Sequence, residues 1–189
     1  MKITRVRPRE RAAFQARLAA LEQLAVYPLG QDTFKIDHGP DYFAFFDRLG
    51  DVLYAIALDG ERLAAVGCGM MRRVPFRAGE APRRTWYVAD LKVHPDHRGS
   101  RIPLRMLARF FPWSYLRCPR GYGISMNPGD GRENRMVRLV RHWRWSPLRP
   151  AETLLLWSLD ADQARRALPI VERHRGPVSL RSLEGLSLI

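Results

Sequence analysis

Along the chain the apolar positions switch between a period of two and one near 3.6, and those switches mark out the elements. Ile3–Val6 reads as a short strand. Pro8 suits a helix start, and Phe14, Leu18, Leu21 and Ala25 share one stripe, which predicts an amphipathic helix over Arg9–Leu24. Tyr27–Pro40 is punctuated by Pro28, Gly30, Gly39 and Pro40 and reads as a loop. Asp41–Leu49 predicts a short aromatic-rich helix, with Tyr42, Phe43, Phe45 and Phe46 as packing residues. Val52–Leu58 and Leu63–Val74 read as two strands joined at Asp59-Gly60, a hairpin signal. Gly67 and Gly69 inside the second strand point to a bulge or a close backbone approach. Pro75–Arg84 is a polar loop.

The stretch Tyr87–Phe111, YVADLKVHPDHRGSRIPLRMLARFF, organises the rest. Tyr87–Val93 is an apolar, β-branched and aromatic run, hence a buried strand. His94–Arg101 is a tight basic connection with Pro95 and Gly99. From Ile102 the residues Leu104, Leu107, Ala108 and Phe111 recur at helical spacing. A strand entering a helix this way leaves first-turn N–H groups unpaired at the positive end of the dipole, a natural seat for phosphate. Arg98, Arg101 and Arg105 add positive charge there. By residues alone an ordinary connection with a solvated basic surface explains the stretch equally well.

Beyond it, Pro112–Arg120 reads as a connection and Tyr122–Asn127 as a strand ended by Pro128-Gly129. Gly131–Trp143 has Met136, Leu139, Val140 and Trp143 on one helical face, Ser146–Pro150 is a turn, and Glu152–Leu159 is a buried strand. Asp160 or Asp162 can cap a helix running to His174, which Pro169 would bend or restart. Val178–Leu180 reads as a small strand, followed by a fraying end.

VHPDHRGSRIPLRML resembles the signature of the GNAT superfamily, the acyl-CoA-dependent N-acyltransferases, V-x-P-x-x-R/Q-x-x-G-x-G/A followed by an apolar helix. Val93, Pro95, Arg98, Gly99, Ile102, Met106 and Leu107 fall in register, whereas Arg101 and Pro103 stand where that family has glycines. Asn134–Trp145 more weakly resembles a second motif, N-x-x-A-x-x-x-Y-x-x-x-G-F: Asn134 and Val137 fit, Arg141 replaces the tyrosine, and Trp145 falls within one position of the phenylalanine, with Arg144 beside it in place of a glycine. The resemblance covers roughly Val52–Leu159. It implies an α/β (α+β) fold, with a mixed, mostly antiparallel central sheet flanked by helices. The corresponding domain is 1–159, with 160–189 as an extension that packs on it or on a neighbour; a homodimer is a separate expectation.

The resemblance further implies acetyl-CoA or another acyl-CoA as co-substrate. A bulge in the central strand would bare the main chain of Leu91, Lys92 and Val93 to the thioester. The loop Arg98, Gly99, Ser100, Arg101, Ile102 and Pro103 would cradle the diphosphate, and Asn134 would contact the cofactor. Pro103 lacks one N–H donor, and Arg101 can compensate by charge. Asp90 occupies the position of a base or water anchor, its alternative being an ion pair with an arginine. With Arg141 in place of the family tyrosine, Tyr122, Ser125 and Asn127 are the substitutes for proton transfer to the departing thiolate.

Composition adds limits. The 189 residues are 46% apolar and 27% charged, as in a globular protein. No apolar run approaches a membrane span of about 18 residues, and the N-terminus lacks a signal-peptide core, so a cytoplasmic protein without membrane attachment is expected. Cys68 and Cys118 lack metal-ligand spacing, and the histidines form no metal constellation, so neither a disulfide nor a metal is expected. The formal charge is +13 and lysine occurs only at Lys2, Lys35 and Lys92, an arginine skew that a GC-rich genome also produces. The charge favours anionic partners, here an amine acceptor carrying a carboxylate or phosphate. Two readings remain beside the enzyme: a CoA-binding protein without turnover, supported by the glycine losses, and a nucleic-acid binder, opposed by arginines spread along the whole chain.

Overall fold

A computed structural model describes residues 1–29, 32–75, 80–127, 132–142, 149–150 and 160–174. Two compact units divide the chain, Met1–Arg138 and Leu139–Ile189. The first holds a five-stranded sheet in the order β1-β4-β5-β6-β7, with β1 Lys2–Val6, β4 Asp51–Asp59, β5 Arg62–Val74, β6 Arg83–Val93 and β7 Gly121–Gly123. The first four are antiparallel neighbours, while β6 and β7 run parallel. The mixed, mostly antiparallel sheet is the one expected.

Two cores cover its two faces. On one, α1 (Arg11–Gln23) brings Leu18 and Leu21, and the single-turn α2 (Ala44–Asp47) with the two residues ahead of it brings Phe46, Tyr42 and Phe43, against Tyr54, Ile56, Val66, Cys68 and Met70. On the other, α3 (Ile102–Arg117) sets Ile102 and Met106 on Ala55, Ala57 and Ala65. The small side chains on that face let α3 lie close to the sheet, which fixes where its first turn meets β6.

Several elements differ from the pattern-based reading. The Tyr27–Pro40 loop contains a small hairpin, β2 Tyr27–Leu29 with β3 Asp32–Phe34, closed by stacked Tyr27 and Phe34 rings at 5.5 Å. The helix expected over 41–49 is only four residues long, and Phe45 is exposed while its three aromatic neighbours are buried. Pro112 does not end α3, which continues to Arg117. Trp86 fastens that last stretch, its indole N–H donating to the Ser114 carbonyl at 2.8 Å. The strand expected over Tyr122–Asn127 is reduced to β7, because β7 leaves β6 after Val88.

In α4 (Arg135–His142) the start lies four residues later than expected, since Asn134 caps it by accepting the Met136 N–H at 2.7 Å. In the second unit α5 spans Ala161–His174 with Pro169 inside. Asp160 is the cap: its carboxylate accepts the Gln163 N–H at 2.7 Å and its own main-chain N–H donates to Gln163 Oε1 at 3.1 Å. The expected turn at 146–148, the strand over 152–159 and the elements beyond 174 lie outside the described residues. Among those described, no helix is long and apolar enough to cross a membrane.

Candidate active site

The sheet parts between its two parallel strands. Pairing of β6 with β7 covers Trp86–Val88 against Gly121–Gly123 and then stops. Among the described residues, no strand lies along that edge of β6 from Ala89 to Val93. His94 gives its main-chain N–H to the Ala64 carbonyl at 2.8 Å, toward β5, so strand alternation turns the Val93 N–H to the open edge. Val88, Leu91 and Ile124, all exposed, flank the opening.

A bulge sits at the same place. Val66 pairs with Lys92 and Cys68 with Ala89, so Asp90 and Leu91 together stand opposite Gly67 alone. The glycine-marked irregularity of β5 is therefore met by an extra residue in β6. Asp90 adopts φ 57°, the one positive φ outside glycine among the described residues. As the inserted residue it shares a face with Ala89 and Lys92, whereas Leu91 turns to the α3 side near Met106.

Below the bulge lies a buried polar cluster that sequence reasoning missed. The side chains of Glu22, His38, Asp90 and Lys92 are each 5% exposed or less. Lys92 Nζ donates to Asp90 Oδ1, to Glu22 Oε1 at 3.1 Å and to the Tyr42 hydroxyl at 3.3 Å, which uses all three ammonium donors. Tyr42 donates in turn to Asp90 Oδ2. His38 gives its main-chain N–H to Glu22 Oε2 at 3.1 Å and its Nδ1 contacts Oε1. The available signal was the lone acidic residue Glu22 on the apolar stripe of α1, which separation in sequence did not connect to Lys92.

Ligand-type atoms of Glu22, His38 and Asp90 lie within 4.8 Å of one another, a spacing compatible with a metal ion. The Lys92 ammonium already bonds both carboxylates and supplies that positive charge. Burial alone would lower the Lys92 pKa; the Asp90 carboxylate and its hydrogen bond, with Tyr27 and Glu22, outweigh it and hold the pKa above the ordinary lysine value. For Asp90 the partners are thus a lysine and a tyrosine, not the arginine considered from sequence.

The other expected catalytic groups are also engaged. Tyr122 stacks on Tyr87 at 4.9 Å and its hydroxyl accepts from Arg72 at 3.1 Å. Asn127 Oδ1 accepts the Asn134 N–H at 2.9 Å, and the Asn134 amide donates to the Met126 carbonyl at 2.6 Å, so both tie the segment after β7 to α4. The Lys92 side chain faces α1, which leaves only its main chain for the role given to it from sequence. Cys68 and Cys118 are free, buried thiols. Cys68 donates to the Ala89 carbonyl at 3.5 Å, and burial pushes its pKa up, which makes it a poor nucleophile.

The loop into α3 begins with a 3-10 turn, Pro95–His97. Asp96 pairs with Arg62 at 2.8 Å and staples the turn to the β4–β5 hairpin. Gly99 follows with φ 79°, then Ser100, Arg101 as N-cap, Ile102 and Pro103. The Ser100 N–H bonds the His97 carbonyl and that of Arg105 bonds the Arg101 carbonyl, which leaves the N–H groups of Gly99, Arg101 and Leu104 unpaired among the described residues. The guanidinium groups of Arg98, Arg101 and Arg105 enter no ion pair among the described residues. Loop and parted edge of β6 adjoin in sequence and both offer unpaired donors.

The proton inventory makes one expectation for stability. Burial first, then nearby acidic groups, raises the pKa values of the phenols of Tyr42 and Tyr54, and burial also raises those of Tyr27 and Tyr87. A raised native pKa means the native state keeps a proton that the unfolded chain gives up, so the contribution is complete below the unfolded pKa and fades above it. Unfolding free energy should therefore fall above about pH 9 to 10, by up to about 1.4 kcal/mol per pH unit for each group. Urea titrations at pH 8, 9.5 and 10.5 read this directly; no decline above pH 10 would contradict it.

No family sequence model and no curated protein sequence matches the chain. Solved structures do. An aminoglycoside 6'-N-acetyltransferase of Acinetobacter haemolyticus is 14% identical, covering 86% of this chain and 100% of its own, with TM-score 0.52. A ribosomal-protein-alanine N-acetyltransferase of Brucella melitensis biovar Abortus 2308 is 18% identical over 85% and 99%, with TM-score 0.51. A protein of Clostridium acetobutylicum described as a predicted acetyltransferase, solved with acetyl-CoA, is 14% identical over 92% and 99%, with TM-score 0.50. The chain therefore shares its overall architecture with these acetyltransferase structures. The chain has the GNAT fold, in a form far diverged in sequence.

Proposed function

We propose that the protein is an acyl-CoA-dependent N-acyltransferase, with acetyl-CoA as donor and a small amine as acceptor. The observation that carries this reading is the bulge at Asp90–Leu91, set on the open edge of β6 and followed directly by a loop with unpaired N–H donors. A pantetheine chain with a thioester at one end and a diphosphate at the other needs those two features at the two ends of one short path.

In this reading the main chain of Leu91, Lys92 and Val93 receives the pantetheine and directs an N–H at the thioester oxygen. Arg98, Gly99, Ser100, Arg101, Ile102 and Pro103 hold the diphosphate. The acceptor amine, in its neutral form, forms the new C–N bond as the C–S bond breaks; the nitrogen gives up one proton and the departing CoA thiolate takes one up. The acceptor class draws support from the aminoglycoside enzyme of the same fold, and the net charge of +13 favours one that also bears an anionic group.

A binding protein without turnover is the second reading. It is favoured by the engagement of Asp90, Tyr122 and Asn127 with neighbouring groups. Calorimetric titration with acetyl-CoA, followed by detection of free CoA thiol across an amine panel, separates the two. Binding with thiol release supports the enzyme, binding alone supports the second reading, and no binding ends both. Arg98→Ala and Arg101→Ala should each weaken acetyl-CoA binding about tenfold, the loss of one charge-assisted contact, with fold and melting temperature little changed.

A further inference from the structure

The cluster under the bulge does more than neutralise a charge. A residue other than glycine with positive φ carries strain that persists only when its surroundings enforce it. Asp90 is that residue, and it occupies the bulge position that glycine often takes. Both of its carboxylate oxygens are held from the α1 side, Oδ1 by Lys92 and Oδ2 by Tyr42. Lys92 is itself fixed by Glu22 at 3.1 Å, and Glu22 is fixed by His38. The chain of contacts thus runs from α1, through the segment before α2, to one backbone torsion in β6.

We propose that Lys92 and Tyr42, backed by Glu22 and His38, are positioning residues that pin Asp90 in its left-handed conformation and so keep the bulge formed and the main chain of Leu91–Val93 presented at the open edge. Asp90 acts as the anchor of this device. Its carboxylate is committed to Lys92 and Tyr42 and does not remove the proton of the acceptor amine. The purpose of the bulge rests on the acyl-CoA reading above; the pin itself does not.

The test compares Lys92→Met, Asp90→Gly and the double variant Lys92→Met/Asp90→Gly in the intact chain. Two readouts are used: amide hydrogen exchange across Ala89–Val93 without ligand, and acetyl-CoA affinity by calorimetry. Lys92→Met leaves Asp90 buried without its ammonium, and is expected to speed exchange and weaken acetyl-CoA binding by about tenfold or more. In the double variant glycine adopts the positive φ freely and the carboxylate that had lost its ammonium in β6 is gone, while Glu22 keeps its contacts to His38; both readouts, which report on Ala89–Val93, should therefore return to within about threefold of the parent. Such a rescue is not expected of residues that merely add stability.

Exchange unchanged in Lys92→Met, or no recovery in a folded double variant, would overturn the pin. Recovered binding with turnover still down by about a hundredfold or more would make Asp90 a catalytic base and overturn its role as anchor. Should Lys92→Met fail to fold, Tyr42→Phe removes one hydroxyl from the same device and is expected to shift exchange in the same direction by about threefold; no shift would count against the proposal. Should the parent protein bind no acetyl-CoA, the acyl-CoA reading fails while the exchange arm still decides the pin.

Discussion

Glu22→Ala is expected to lower the unfolding free energy by about 3–5 kcal/mol, because it removes one partner from a buried charge network and leaves the others desolvated. Glu22 is 3% exposed in its side chain and bonds Lys92 at 3.1 Å and the His38 main chain at 3.1 Å. Its position makes the argument sharper. It lies in the last turn of α1, where the helix dipole disfavours negative charge. An acid there on an apolar stripe is tolerable only because a buried ammonium faces it. Glu22→Gln keeps the shape and part of the hydrogen bonding, and should fall between alanine and the parent. Urea unfolding of the three proteins measures the series, and equal stabilities would show that the cluster contributes nothing net.

Gly50→Ala is the second large effect, about 2–5 kcal/mol, from backbone strain added to a clash with main chain. Gly50 has φ 149°, and a Cβ built there would stand 2.5 Å from the Met71 carbonyl oxygen. That oxygen belongs to the residue paired with Asp51 at the start of β4. It cannot rotate away as a side-chain tip could, so either the α2–β4 turn or the end of the β4–β5 ladder must shift. A thermal unfolding curve suffices as the measurement, and a melting temperature within a degree or two of the parent would refute the expectation.

Much of the fold could be read locally. The β4–β5 hairpin at Asp59-Gly60, the strand through Val93 and the helix beginning at Ile102 follow from short-range periodicity and turn chemistry, and all are present. Less legible were elements whose ends depend on a distant partner. Pro112 should weaken α3, yet Trp86 from β6 fastens the continuation. The run from Ile124 to Asn127 has strand-like composition, yet it is not strand, because β7 diverges from β6 and Asn134 draws that segment toward α4.

The candidate site divides in the same way. The loop Arg98–Pro103 was visible as a pattern of glycine, proline and arginine at a helix start. Asp90 was visible as an acidic residue on the central strand, but not the φ of 57° that makes it the inserted residue of the bulge. Lys92 entered only for its main chain, and Glu22 and His38 did not enter at all. Their separations of 70 and 16 positions from their partners place them beyond any local signal.

What the sequence by itself determined is which segments are strands and helices and which loop could hold an anion, because periodicity, caps and turns act within a few residues. What only the tertiary structure decided is where the sheet parts and how the bulge at Asp90 is held. Those depend on a lysine in β6 meeting an acid from α1 and a tyrosine ahead of α2 in a space closed to water, where an unpaired charge is too costly to leave.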